Sequence, residues 1–560
     1  MKFTGKILLT IVLLLLMAVV ATYLLMQTRW GSSWISRAVS EHTEYQIAFS
    51  KLEHHFSNPT HFTLNNVSFG FKTQPAIVVA KKVDVVLSRA QFSSPLHFAI
   101  IQLENGTLNL NSNGQPLPLS ADRLQLNQMI LNRPGSKFPL VAKQVDGGIL
   151  PWYPEVGDFI GNDTRFQISA GALEVNGIAA TNVLLQGTRN HNQLVINNLG
   201  ADVAMGSVTT SAQCDAQGNW LVSALRLNNI RLQSRLSISD LLAPLASLPS
   251  VHFDRIDVTD ARLEGKDWAV TDLDLALKNI TLNRGSWESK AGSLSMNAST
   301  FVNGSLELND PIANLTFSPE GIALKQFSSR WVNGLIRTSG RWARDSKKLT
   351  LDELAVAGLE YTLPLNWRER WMATLPEWLD SVEVTKFVAN RNLIIDINPD
   401  FPFQLTSLEG NGNHLLIARN HQWGVWSGDL SFNAAEATFN RVDVRHPSMS
   451  LNAGNNSINV TEMSAFTHDG MLESLATLSQ QPERRLSLTL NGRNVPVNLL
   501  HDWGWPTVPL TGDGHLQLKI QSSLAAGVPL KSATNGTLAI TAGDKTLQQT
   551  MNDGLVAGAQ

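Results

Sequence analysis

The chain has 560 residues, of which only 16% are charged, and its net charge is −3. It carries no Lys/Arg-rich stripe, which argues against a nucleic-acid binder. The single cysteine, Cys214, excludes an intrachain disulfide, and the length implies more than one domain.

The first predicted element is a membrane anchor. Residues 7–26, ILLTIVLLLLMAVVATYLLM, pass without a charge. As a helix they would span about 30 Å, the hydrocarbon thickness of a bilayer. Lys2 and Lys6 precede the run, and residues 1–6 are expected to form a cytoplasmic tail. This arrangement predicts a single-pass signal anchor with the remaining chain on the far side of the membrane. Val19-Val20-Ala21 is a passable cleavage site, but the apolar run continues to Met26, too far for an ordinary signal peptide. Trp30 and Trp34 follow at once and are assigned to the membrane interface, where amphipathic rings favour the headgroup layer. Residues 32–41 read as a short amphipathic helix.

From about residue 45 onward the dominant signal is period-2 alternation. Val83, Val85 and Leu87 form one such set. Leu273, Leu275 and Leu277 form a second; Leu486, Leu488 and Leu490 a third; Leu516, Leu518 and Ile520 a fourth. Each predicts a strand with one apolar and one wet face. Asn105-Gly106, Asn303-Gly304, Asn411-Gly412, Asp513-Gly514 and Asn535-Gly536 are read as turns. The fold class is thus mainly β, a long antiparallel meander with few helices. Helices are expected at 239–248, 366–379, 471–479 and 497–503. Three strands in similar contexts, IDVT (256–259), VEVT (382–385) and VPLT (508–511), are spaced by 126 residues and suggest an internal repeat, with no matching block at 130–133. The predicted divisions are 27–235, 236–365, 366–490 and 491–544, with 545–560 expected to be a disordered tail.

A one-sided sheet must cover its apolar face. Closed sandwiches are one solution. The other is a curled sheet whose apolar face is filled by something else, such as lipid acyl chains, and the nine residues of the last three sets would then be candidate lipid-facing positions.

Chemical motifs are missing. The sequence holds no nucleophile elbow, zinc-binding H-E-x-x-H, P-loop or dinucleotide fingerprint. His54, His55 and His61 cluster in sequence, but adjacent strand residues point to opposite faces and ligate one metal poorly. No enzyme activity, metal or cofactor is expected. Trp367, Trp371 and Trp378 share one face of the predicted helix 366–379, flanked by Arg368 and Arg370, although Pro376 would interrupt it. They mark a candidate helix at the end of a groove.

The segment TRWGSSWISRAVSEHTEYQIAFSKLEHHFSNPTHFTLNNVSFG (28–70) resembles the N-terminal signature of the AsmA-like family of Gram-negative bacteria. Thr28, Gly31, Ile47, Phe49 and the strand Leu64–Phe69 carry the match. GRNVPVNLLHDWGWPTVPLTGDGHLQLKI (492–520) and NGTLAITAGD (535–544) are similar to the family's C-terminal module. The resemblance implies an inner-membrane anchor, a periplasmic body built as a repeating β-groove, and a role in moving phospholipid between inner and outer membranes. Its implied partners are phospholipid, the inner membrane and an outer-membrane or periplasmic protein. A scaffold for outer-membrane protein assembly, using edge strands to pair with clients, is the alternative. The chain is shorter than the family's periplasm-spanning members.

Overall fold

The structure is a computed structural model describing residues 2–556 except 73, 111–116, 118, 135–138, 156, 157, 176, 400, 481–483 and 526. The chain divides into two compact units, Met1–Glu264 with Lys278–Trp287, and Gly265–Leu277 with Glu288–Gln560. Each is a long β ladder with few helices.

In the first unit, helix α1 (Lys2–Met26) is followed by α2 (Arg29–His42). Thr28 caps α2, its hydroxyl accepting from the Gly31 N–H at 3.4 Å. Gly31 permits the tight elbow, since a Cβ there would lie 2.4 Å from the Leu25 carbonyl oxygen. The ladder starts with Tyr45–Ala48 and Lys51–His55, both paired to Asn58–Phe71, and proceeds strand by strand to Ser250–Glu264. Its core centres on Leu108, Leu124, Met129, Val145 and Ile149, each at most 1% exposed. In the second unit the ladder runs to Lys545–Asn552 and Leu555–Val556, with a core around Val495, Leu538 and Ile540.

Most neighbouring strands are antiparallel, but among the described residues parallel pairing occurs at three places, at two of which a short further strand, Arg231–Gln233 or Glu360–Leu363, continues it. His97–Asn109 lies along Ser120–Arg133, Trp220–Asn228 along Ser250–Glu264, and Lys348–Ala357 along Ser381–Asp396. The second strands of these pairs begin at residues 120, 250 and 381, spaced by 130 and 131. A repeat therefore exists, but the 126-residue alignment of IDVT with VEVT is displaced from it by five residues. Residues 508–511 form no strand, and the block near 120 escapes the short motif. A parallel pair requires the chain to cross back before the next strand starts.

Other expectations are corrected. Residues 471–479 form a strand, not a helix, paired on both sides; the leucines 472, 475 and 478 mimic helical spacing, but Leu475 is exposed while Leu472 is buried. The helix at 366–379 shortens to α4 (Trp367–Met372), and that at 497–503 to a single turn, Leu499–His501. The helix predicted at 239–248 is present as α3 (Ile238–Ala246). The supposed tail forms a strand, Lys545–Asn552, with Met551 buried; residues 557–560 lie outside the described residues.

Of the five predicted turns, Asn303-Gly304 closes a hairpin. Asn105-Gly106 and Asn411-Gly412 lie inside strands, and the other two open strands. Asn105 nevertheless has a positive φ of 52°. So do Asn66 (53°) and Gln128 (53°), also within strands. The registers place Asn66 opposite Lys81, Lys81 opposite Asn105, and Asn105 opposite Gln128. Left-handed residues thus stand in one row on three of these four adjacent strands, Lys81 being the exception. Such residues bend a strand and increase its local twist. Asn tolerates this conformation better than most side chains.

Candidate functional site

The apolar face is organised into lanes running across the strands. In the first unit, Ile196, Ala212, Val222 and Phe253 stand in register, beside Leu194, Cys214, Trp220 and Val251. In the second unit, Phe317, Ile322, Trp342, Leu349 and Val382 form a matching lane. Neither Trp220–Asn228 nor Lys348–Ala357 contains a fully buried residue, whereas Ala212, Val251, Phe253 and Val382 beside them are buried, so these lanes are half open along those two strands. Burial among apolar neighbours pushes the Cys214 thiol up from its ordinary value, against a smaller lowering by Arg189. The opposite face is polar, and Asp84 on it is buried. There Asp84 receives hydrogen bonds from Lys82 (2.6 Å), His61 (3.2 Å) and Thr63.

The connection preceding Ser250–Glu264 runs back along that strand. It leaves the far end of that strand, where the Ser234 N–H donates to the Glu264 carbonyl, and returns through α3 to Ser250. The Ser247 and Leu248 amides continue the helical turning by donating to the Pro244 and Leu245 carbonyls. At 1.5 Å per helical and ~3.6 Å per extended residue, the path from Ser234 to Ser250 reaches about 38 Å. The strand, straight, would measure about 43 Å after allowing one residue for a bulge. That bulge is at Asp260, φ 48°. The connection and the strand it spans are thus of comparable length. Helix α3 is therefore part of a strap that runs the length of the strand. None of its residues is buried, although it reads ISDLLAPLA; Leu242 is 54% exposed.

A second strap carries α4. At one end the Trp367 indole donates to Asp396, the last residue of Ser381–Asp396. At the other end Leu375 and Leu379 pack with Val382 and Ala418. Trp371 lies under Arg484, whose guanidinium carbon is 4.8 Å from the ring centroid. Trp378 falls outside the helix and is exposed. The three tryptophans therefore do not share a helical face: the extended backbone at Ala373 ends the helix ahead of Pro376.

The leucine sets divide. Leu273 is buried, with Leu275 and Leu277 half-buried on the same face. Leu490, Leu516 and Leu518 are buried under the chain's own Leu499, Leu500 and Trp505, with Leu488 and Ile520 at the margin of that cluster and Leu486 half-buried. At this end the connection 497–512 already covers the apolar face. Sequence reading missed the more open lanes through Trp220, Leu225, Leu324 and Trp342. Their alternation changes phase at register shifts such as that between Ser211 and Ala212, which breaks the pattern into runs too short to notice.

Among the described residues, no single helix is long and apolar enough to cross a membrane. The pair Thr10–Met26 and Arg29–His42, bent by 84°, has the length and composition together. Side chains from Ile11 to Leu25 are largely exposed, as are Trp30 (84%) and Trp34 (64%). The histidines do not converge: His54 bonds Tyr23 and Pro59, while His61 faces Asp84.

The AsmA family model matches residues 1–559. AsmA family protein YicH of Escherichia coli (strain K12) is 52% identical over 561 residues, covering 100% of this chain and 99% of that protein. No solved structure matches. With near-complete coverage by the family model and by this relative, the chain belongs to the AsmA family.

Proposed function

We propose that this protein is a non-enzymatic phospholipid carrier, anchored in the inner membrane by α1, that moves lipid toward the outer membrane through the periplasm. The observation that carries the reading is the half-open apolar lane in each unit. A lane that the chain itself covers only in part needs an apolar filling over the rest, and acyl chains supply it at about 0.8 kcal/mol per buried CH₂. Headgroups would remain toward solvent. Passive transfer requires a continuous apolar surface and no reacting group. Family membership agrees with a role at the outer membrane or in lipid transport.

Photo-cross-linking from single sites in cells tests this. A benzophenone side chain at Leu225 or Leu324 should capture phospholipid, and one at the exposed neighbour Lys325 should not. Protein adducts without lipid at Leu225 and Leu324 would replace the carrier with a scaffold that pairs with clients.

A further inference from the structure

Strand Lys51–His55 descends alongside the end of α1. At its upper end Ser50 meets α2, its carbonyl accepting from the Ser32 hydroxyl at 3.4 Å. Four residues on, His54 is level with Tyr23, one turn before α1 ends. The Tyr23 hydroxyl reaches His54 Nδ1 at 2.7 Å and the His54 carbonyl at 3.2 Å. His54 Nε2 lies 3.1 Å from the Pro59 carbonyl, so Nε2 carries the proton and Nδ1 accepts from the tyrosine. The His54 ring stacks on Phe62, centroids 4.5 Å apart. Gln27 adds a bond to the His54 carbonyl at 3.5 Å. The hairpin tip is thus pinned beside an apolar helix, and Phe56 at that tip touches Tyr23 (4.8 Å between centroids) while remaining 77% exposed.

Helix α2 turns away at 84°. Ile35 packs on the sheet's core, and Ser32 reaches Ser50. Trp30, Ser33, Trp34 and Arg37, at helical spacing, form the exposed face. When α1 stands along the bilayer normal, α2 lies in the membrane plane. The Phe56 tip is then at the depth of Tyr23, below the elbow.

We propose that the hairpin tip at Phe56 and the Trp30/Trp34 face of α2 form a collar seated in the headgroup layer of the membrane that α1 enters. The occupant is the lipid surface itself. Tryptophan and phenylalanine suit the boundary between headgroups and acyl chains, and Arg29 and Arg37 suit lipid phosphates. The collar holds the first strands of the ladder against the leaflet, so a lipid passes from bilayer to apolar face without crossing water. This rests on the anchored-carrier reading.

The test uses the full chain in a C214S background, with one cysteine introduced at a time and labelled with the polarity-sensitive fluorophore NBD. The protein is reconstituted in phosphatidylethanolamine/phosphatidylglycerol vesicles, with or without a shallow nitroxide-lipid quencher. F56C and S57C label the tip, L24C labels α1, and I178C labels a distant exposed strand. Blue-shifted, quenched emission at 56, 57 and 24, with water-like emission at 178, is the expected result. Quenching at 24 with water-like emission at both 56 and 57 overturns the collar and leaves the anchor standing. Water-like emission at 24 as well removes the anchor, and the collar with it.

Discussion

The indole Nε1 of Trp367 donates to Asp396 Oδ2 across 3.1 Å, joining the start of the second strap to the far end of the strand it spans. Asp396 is 2% exposed, and its other oxygen takes the Asn398 N–H at 2.9 Å. Trp367→Phe keeps most of the packing but leaves a buried carboxylate oxygen short of a donor. The expected cost is about 1–3 kcal/mol. It is read as a lowered urea midpoint; Trp378→Phe, at an exposed ring, should shift that midpoint little.

A charge on the apolar face should block lipid passage where a charge on the wet face does not. Leu275 is half-buried beside buried Leu273, while Asp274 is exposed. Leu275→Glu is expected to abolish transfer of a fluorescent phospholipid between vesicles, with Asp274→Lys close to wild type. Equal behaviour of the two variants would mean that the lane does not carry lipid.

Asn105 should tolerate Gly far better than Val. With φ at 52° it occupies the left-handed region, where a β-branched residue is strained by about 1–2 kcal/mol. Asn105→Val is expected to lower the urea midpoint by that amount and Asn105→Gly to leave it nearly unchanged. Gly106 beside it allows no such freedom: a Cβ would lie 2.0 Å from the Val79 carbonyl oxygen. Gly106→Ala should therefore destabilise more than Asn105→Gly.

The β class, the apolar N-terminal run and α3 were legible because each rests on a local period. The parallel pairings were not, because they depend on connections that pass over a face of the sheet and leave no trace in strand periodicity. Asn105-Gly106 carried a true conformational signal, positive φ, but the same dihedral serves a hairpin turn or a mid-strand bulge. Only the neighbours Asn66 and Gln128, distant in sequence, distinguish the two. Residues 516 and 518 alternate as a lane does, yet Trp505 covers them, and a period-2 pattern cannot say what lies on top.

Cys214 offers a native reporter in the first unit. It is half-buried, in register with Trp220 and Leu194. A maleimide should react faster with lipid-stripped protein than with protein reloaded from vesicles, since bound acyl chains would cover the thiol. Identical rates would show that this lane stays empty.

Acid should weaken the polar face of the first strands through Asp84, which is buried. Burial raises its pKa, but hydrogen bonds from Lys82, Thr63 and His61 outweigh this and hold it below the ordinary aspartate value. A carboxylate whose folded pKa is depressed stabilises the fold fully above its unfolded pKa, about 3.9, and ceases to do so as pH falls through the folded value. Lys82 is raised in turn, chiefly by its hydrogen bond to Asp84. Asp84→Asn should therefore be less stable than wild type at neutral pH. The gap should narrow only below the ordinary aspartate range, measured as urea midpoints against pH. A gap that stayed constant into strong acid would assign the loss to packing rather than to charge.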